Sequence, residues 1–201
     1  MIDSLSKEQL QLLYRLKTEL SDTYKHSIEV ANYSVLLGKY INLTEEEIDK
    51  LQIAGLFHDI GKLLISKDII NKPGDLTEEE FTKIKKHPIY SVKMLKNTGF
   101  DDNIIMNIIL THHERIDGTG YPNHLLKQNI LKLTKILSIA DSYSAITSDR
   151  IYDPKKNVSY AFSELISNSG SQFDSYLVYK FISLLSNNKE KQKCYELEAE
   201  M

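Results

Sequence analysis

The sequence predicts an all-α protein, a single bundle of about seven to nine helices. Three observations predict it. Apolar residues recur at intervals of three and four, as in Leu10, Leu13, Leu16 and Leu20, in Ile104, Ile105, Ile108 and Ile109, and in Leu133, Ile136, Leu137 and Ala140. Ser6 with Gln9, Thr44 with Glu47 and Thr77 with Glu80 have the spacing of a capping box, in which two side chains satisfy free N–H groups at a helix start. Clear β-hairpin signals are absent.

The elements follow in order. The first helix starts at Ser6 and is amphipathic; it is expected to cover the core, with contact to a second copy in a homodimer as the alternative. The next carries His26. Thr44 opens a helix that leads into His58–Asp59. Asn71–Lys72–Pro73–Gly74 breaks the pattern, Thr77 restarts it, and His87–Pro88 suits the first turn of a further helix. The isoleucine-rich helix runs into Thr111, His112, His113 and Glu114, followed by the turn-rich loop from Asp117 to Asn123. Asp141 lies in the apolar stretch ILSIADSYSAI, where an unpaired carboxylate is costly to bury. The two LTEEE strings, Leu43 to Glu47 and Leu76 to Glu80, are similar helix starts rather than a repeat. The expected organisation is one domain over 1–186 and a polar tail over 187–201.

Composition narrows the function classes. The chain has 201 residues, 41% hydrophobic, with 25 basic and 28 acidic residues and a net charge of −3. No basic stripe marks duplex nucleic acid as a partner. The one cysteine, Cys194, excludes an internal disulfide framework and a cysteine zinc site. There is no signal-peptide pattern, and no apolar run approaches the roughly 18 residues of a membrane span. A cytoplasmic protein without membrane contact is the expectation. No receiver or sensory region precedes the helical pattern, so regulation is expected to enter through expression, the first helix, oligomerisation or another protein.

The chemistry lies in the histidines, at 26, 58, 87, 112, 113 and 124. A single helical histidine is more often a core or surface residue than a ligand, and Asp141 alone could pair with a lysine. As a set, these imidazoles and carboxylates suit first-row divalent metals such as Fe, Mn, Zn, Co or Ni. His58 and Asp59 are expected to project from one helix, a terminal imidazole beside a bridging carboxylate. Two metals about 3.5–4 Å apart would clamp a phosphodiester.

His58–Asp59 with the spaced His26, His112 and Asp141 resembles the HD superfamily of metal-dependent phosphohydrolases. His87, the paired His112–His113 and the string HHERIDGTGYP narrow the resemblance to the HD-GYP family. It runs from about Leu20 to Phe181, with HDIGK, NKPGDLTEEE, HHERIDGTGYP and SDRIY in the family's order. The resemblance implies an all-α fold around two or three metals and hydrolysis of cyclic dinucleotides, chiefly cyclic di-GMP, to linear pGpG and on to GMP. It implies His26, His58, Asp59, His87, His112, His113 and Asp141 as ligands, with Asp59 bridging two divalent ions, Fe or Mn. Members with a third metal place a glutamate one turn before the first histidine; Asp22 stands there with a shorter side chain, so two metals are expected.

The implied mechanism is in-line attack by hydroxide formed at the metals on one 3′–5′ phosphodiester. Lys62, expected one helical turn beyond His58, would reach a nonbridging oxygen. Gly118 and Gly120 would shape the loop, Gly120 and Tyr121 would meet the nucleotide, and Arg150 would grip a phosphate with its planar fork of donors. Glu114 is expected to support an imidazole. Ser144 stands where the family usually has an aspartate, which is expected to loosen the support behind a ligand. Asp153 stands where a basic residue often follows, with Lys155 or Lys156 in compensation. Ser66 and Ser91 replace a frequent proline and glycine. A cyclic di-GMP receptor without turnover and a phosphohydrolase of another nucleotide are the competing readings.

Overall fold

The computed structural model describes residues 5–148 and 157–186. The helices are α1 (Lys7–Glu19), α2 (Ser21–Tyr40), α3 (Glu45–Phe57), the single turn α4 (Lys67–Ile70), α5 (Glu78–Ile84), α6 (His87–Lys96), α7 (Asn103–Thr111), α8 (Lys132–Thr147) and α9 (Val158–Ser167), with a last helix, α10, over 175–186. The described residues contain only two isolated β-bridges, so the all-α expectation is borne out. All three capping boxes form, at Ser6–Gln9, Thr44–Glu47 and Thr77–Glu80. The tail over 187–201 lies outside the described residues.

The centre of the bundle is α2, which packs on α3 along one side and on α8 along another. Phe57, Leu51, Leu37, Ile108, Ile136 and Phe181 are fully buried around it. Tyr33, Tyr143 and Phe181 close one end of the core edge to face, with ring centroids 5.0–6.0 Å apart. The first helix covers the core: Leu16 and Leu20 are buried and α1 lies against α2.

HDIGK departs from its expected form. α3 ends at Phe57, His58 is its C-cap, Asp59 leaves helical geometry (φ −101°, ψ 2°), and a 3₁₀ turn follows over Ile60–Leu64. His58 and Asp59 therefore do not project from one helix, and Lys62 is not a helical turn beyond His58 on a shared face. The cause is packing: a Cβ on Gly61 would lie 2.2 Å from the His87 carbonyl oxygen and 2.5 Å from the Ser91 nitrogen. The chain bends there to meet the start of α6. Ser91 fastens the bend, donating from Oγ to the His58 carbonyl (2.7 Å) and accepting from the Gly61 N–H (2.8 Å).

The α2–α3 contact depends on Gly55, where an added Cβ would lie 2.5 Å from Ala31 Cα and 2.7 Å from its nitrogen. At Gly38 the same atom would meet only the tips of Leu51 (3.1 Å) and Leu43 (3.3 Å). Gly55→Ala is expected to lower stability by about 1–3 kcal/mol in urea unfolding, since backbone cannot yield as a side-chain tip can. Gly38→Ala is expected to stay within about 1 kcal/mol of wild type, because gained helix propensity offsets the crowding. Equal losses would contradict this account of the packing.

Candidate metal centre

Five elements bring the histidines and aspartates to one place. His26 comes from the second turn of α2, Asp141 from α8, and His58 from the end of α3, with Asp59 just beyond it. His87 opens α6, and His112 caps α7 with His113 following. Three overlapping groups have ligand atoms within 4.8 Å of one another: His26, His58 and Asp59; His58, His112 and Asp141; and His87, His112 and His113. The seven ligands expected from the sequence are thus brought together.

Helix ends orient three of the imidazoles. His58 Nδ1 lies 2.8 Å from the Gly55 carbonyl oxygen, and His112 Nδ1 lies 2.7 Å from that of Ile109. Both carbonyls belong to the last turn of a helix, where intrahelical partners run out. His87 Nδ1 lies 2.8 Å from the Ile84 carbonyl oxygen, whose i+4 residue, Pro88, has no N–H to offer. A carbonyl only accepts, so each Nδ1 carries a proton, and in the neutral ring each Nε2 is left with a lone pair.

Those lone pairs converge. His87 Nε2 is 3.2 Å from His112 Nε2 and 3.2 Å from His113 Nε2. Asp59 is buried between the groups, with Oδ1 3.1 Å from His87 Nε2 and Oδ2 3.4 Å from His58 Nε2 and 3.9 Å from His26 Nε2. His58 Nε2 and Asp59 Oδ1 are buried with no hydrogen-bond partner. Buried polar atoms are normally satisfied. Acceptors pointed at acceptors are satisfied by a cation, and imidazole with carboxylate is the donor set of a first-row divalent metal. The residues fit such a metal.

The charges agree. Burial pushes His87 down to about 3 and His112 down to about 4, and it also holds His26 and His113 below the ordinary histidine value. On His58 burial is outweighed by the Asp59 and Asp141 carboxylates, which raise it. Burial alone would raise both aspartates, but Lys62 and His58 hold Asp59, and His26 and His58 hold Asp141, well below the usual carboxylate range. Lys62 Nζ lies 2.6 Å from Asp59 Oδ2, so the lysine reaches the centre through the 3₁₀ turn.

Beside the centre is a cleft of about 360 Å³, with His112, His113 and Asp141 in its lining and Phe81, Lys85 and Tyr121 above them. Tyr121 stacks on His113 (centroids 4.8 Å apart, planes at 29°), and the Lys85 ammonium lies 4.6 Å from the Phe81 centroid and 5.6 Å from that of Tyr121. Gly118 has φ +80°. Gly120 serves close approach, since a Cβ there would lie 2.3 Å from the Arg115 nitrogen. Glu114 corrects an expectation: its buried carboxylate accepts from the Asn123 and Leu125 N–H groups at 2.6 and 2.9 Å, so it clamps the loop rather than an imidazole. Asp22 joins none of the three groups; it is 40% exposed and 3.8 Å from Lys25. Arg150, Asp153, Lys155 and Lys156 lie outside the described residues.

The fold and the centre together define an all-α domain shaped to hold divalent metal. A family model described as the HD domain matches residues 8–177, and the chain belongs to the HD-domain family. It is similar to a cyclic di-GMP phosphodiesterase of Pseudomonas aeruginosa, 37% identical over 170 residues covering 85% of this chain and 41% of the relative. It is also similar to a 3′3′-cGAMP-specific phosphodiesterase of Vibrio cholerae, 32% identical over 89% of this chain and 35% of the relative. The chain thus spans less than half the length of these curated relatives. Among solved structures, an HDG"Y"P protein from Bdellovibrio bacteriovorus shares the fold, with a TM-score of 0.68 at 22% identity over 81% of this chain and 52% of that one. No described helix is long and apolar enough to cross a membrane.

The depressed imidazoles make a pH test. In metal-stripped protein His87 and His112 gain protons only near pH 3 and 4, whereas unfolded histidines do so near 6.5. The unfolded state therefore binds more protons below pH 6.5, and stability falls from there towards pH 3. The two depressed aspartates add to the loss once pH drops below their ordinary 3.8. His58 works the other way: its contribution is complete below 6.5 and is lost as pH rises through its raised value. Thermal melting of the stripped protein is expected to drop in midpoint between pH 6.5 and 4, less so in His87→Gln. A flat profile would contradict the neutral-imidazole arrangement.

Proposed function

We propose that the chain is a metal-dependent phosphodiesterase that hydrolyses a cyclic dinucleotide, cyclic di-GMP before cyclic GMP–AMP, by opening the ring to the linear dinucleotide, with pGpG or GMP as the product from cyclic di-GMP. One observation carries this reading: Asp59 turns its two carboxylate oxygens towards two sets of imidazoles, and His112, His113 and Asp141 of the same cluster line an open cleft. The curated relatives' names supply the substrate class. A cyclic dinucleotide substrate and the lone cysteine fit a cytoplasmic enzyme.

In this reading His26, His58, Asp59 and Asp141 would hold one ion, and Asp59, His87, His112 and His113 would hold another. The donor set suits Fe or Mn. The ions supply Lewis acidity for the attacking water and for the phosphoryl oxygens. The chain's own residues do the rest. Asp59 spans the two ligand sets and Lys62, already at its Oδ2, offers an ammonium to a nonbridging oxygen. Tyr121, held by its stack on His113 and by the loop that Glu114 clamps, presents its ring to a nucleobase, and Gly120 lets the backbone come close. Phe81 and Lys85 offer a second ring and a cation across the cleft, contacts with no counterpart in the sequence-based expectations. Arg150 is assigned a phosphate of the substrate.

Protein purified anaerobically and reconstituted with Fe(II) or Mn(II) is expected to convert cyclic di-GMP to linear product. His58→Ala and Asp59→Ala are expected to reduce turnover more than about 100-fold, beyond the loss typical of outer partners of metal ligands. Tight binding without turnover in either metal would replace the enzyme with a receptor. Tyr121→Phe is expected to keep KM, while Tyr121→Ala raises it roughly tenfold, within the 1–3 kcal/mol of a base stacked on an aromatic ring. An unchanged KM in Tyr121→Ala would remove the stacking role.

A further inference from the structure

His26 is supported differently from His58, His87 and His112. Its Nδ1 reaches no carbonyl of a helix end; it lies 2.8 Å from Ser144 Oγ on α8. Ser144 is fully buried, and its Oγ is also 2.8 Å from Glu29 Oε2 and 3.3 Å from Ser148 Oγ. Ser148 hydrogen-bonds the same glutamate oxygen. Glu29 is three residues beyond His26 on the same face of α2, and Ser148 is the C-cap of α8, with its N–H donating to the Ser144 carbonyl.

A hydroxyl has one proton to give. An ionised Glu29 only accepts, so Ser144 and Ser148 both point their protons at it. The Ser144 lone pair then faces His26, which must donate from Nδ1. Its Nε2 is then left with the lone pair, and Nε2 and Asp141 Oδ1, 2.9 Å apart, would both offer lone pairs to an ion in the centre. Without the glutamate, Ser144 is free to donate to Nδ1 instead, and His26 would carry its proton on Nε2, the nitrogen the centre needs bare.

We propose that Glu29, acting through the Ser144 hydroxyl, is the positioning residue that sets His26 in its metal-binding tautomer. The glutamate and serine together do what a carboxylate at position 144 would do directly. The inference rests on the proposed metal centre and names the groups that tune one of its ligands. It also corrects the expectation that Ser144 loosens this support: the carboxylate is present, one hydroxyl further back and on another helix.

Two measurements on the full chain test it. In Mn(II) titrations of stripped protein against a chelator dye, Glu29→Ala is expected to lower affinity about tenfold, the lower end of the effect of such outer partners. Ser144→Asp alone is also expected to weaken binding, because two carboxylates then face each other. The double variant Glu29→Ala/Ser144→Asp is expected to return to within about threefold of wild type, since one carboxylate again orients the imidazole. A merely structural role for Glu29 gives no such reversal. Wild-type affinity in Glu29→Ala, or a double variant no better than Glu29→Ala while melting normally, would overturn the proposal.

The second readout needs no metal. Long-range proton–nitrogen NMR correlations of the His26 ring, taken in an Asp141→Ala background so that the carboxylate 2.9 Å from Nε2 no longer competes for the proton, are expected to show it on Nδ1 with Glu29 present and on Nε2 in Glu29→Ala. A ring protonated only on Nε2 in that background, with Glu29 present, would overturn the proposal. Failure of the wild type to bind any metal would instead count against the centre itself, with the His26 tautomer still deciding the role of Glu29.

Discussion

The proton on Nδ1 of His58, His87 and His112 is the constraint on which the site depends. A neutral imidazole has one N–H, and whichever nitrogen donates leaves the other as the acceptor. His58, His87 and His112 give theirs to carbonyls at helix ends, Gly55, Ile84 and Ile109, that lack a partner of their own. Structural need at the helix termini and chemical need at the centre are met by the same hydrogen bonds. His87 makes the coupling plainest, because Pro88 both starts α6 and removes the N–H that would have competed for Ile84.

From that constraint the surrounding architecture follows. α3 must end at His58 for Gly55 to be available, and Gly61 and Ser91 make the bend that allows it. α7 must end at His112, and Ser138 on α8 donates to the His112 carbonyl. Thr111 and Thr134 join their hydroxyls across the same pair of helices, 3.2 Å apart. The core of Phe57, Ile108 and Ile136 holds these ends in register, so the ligands rest on packed helices rather than on free loops.

Much of this was legible in the sequence. The all-α class followed from period and caps because both are local. The cluster of seven histidines and aspartates followed from residue type and from the resemblance, since so many scarce side chains in a fixed order leave few alternatives. Geometry that depends on tertiary contact was not legible. HDIGK reads as continuous helix until the His87 carbonyl blocks it at Gly61. Glu114 reads as an imidazole partner until the loop folds back and offers the N–H groups of Asn123 and Leu125. Ser144 reads as a loss because Glu29 lies 115 residues away, although its place three residues after His26 on one helix face was a usable signal. Phe81 and Lys85, i and i+4 on α5 and its cap, carried no signal separable from an ordinary helix surface.

The central claim is that the cluster is a pair of divalent-ion sites joined by Asp59. Its most direct test is the metal content of the chain after anaerobic Mn(II) reconstitution and gel filtration, with electron paramagnetic resonance of the same sample. The account predicts two ions per chain with a spectrum showing magnetic coupling between them, and loss of the coupling in Asp59→Ala. No retained metal, or two uncoupled ions indifferent to Asp59, would contradict it.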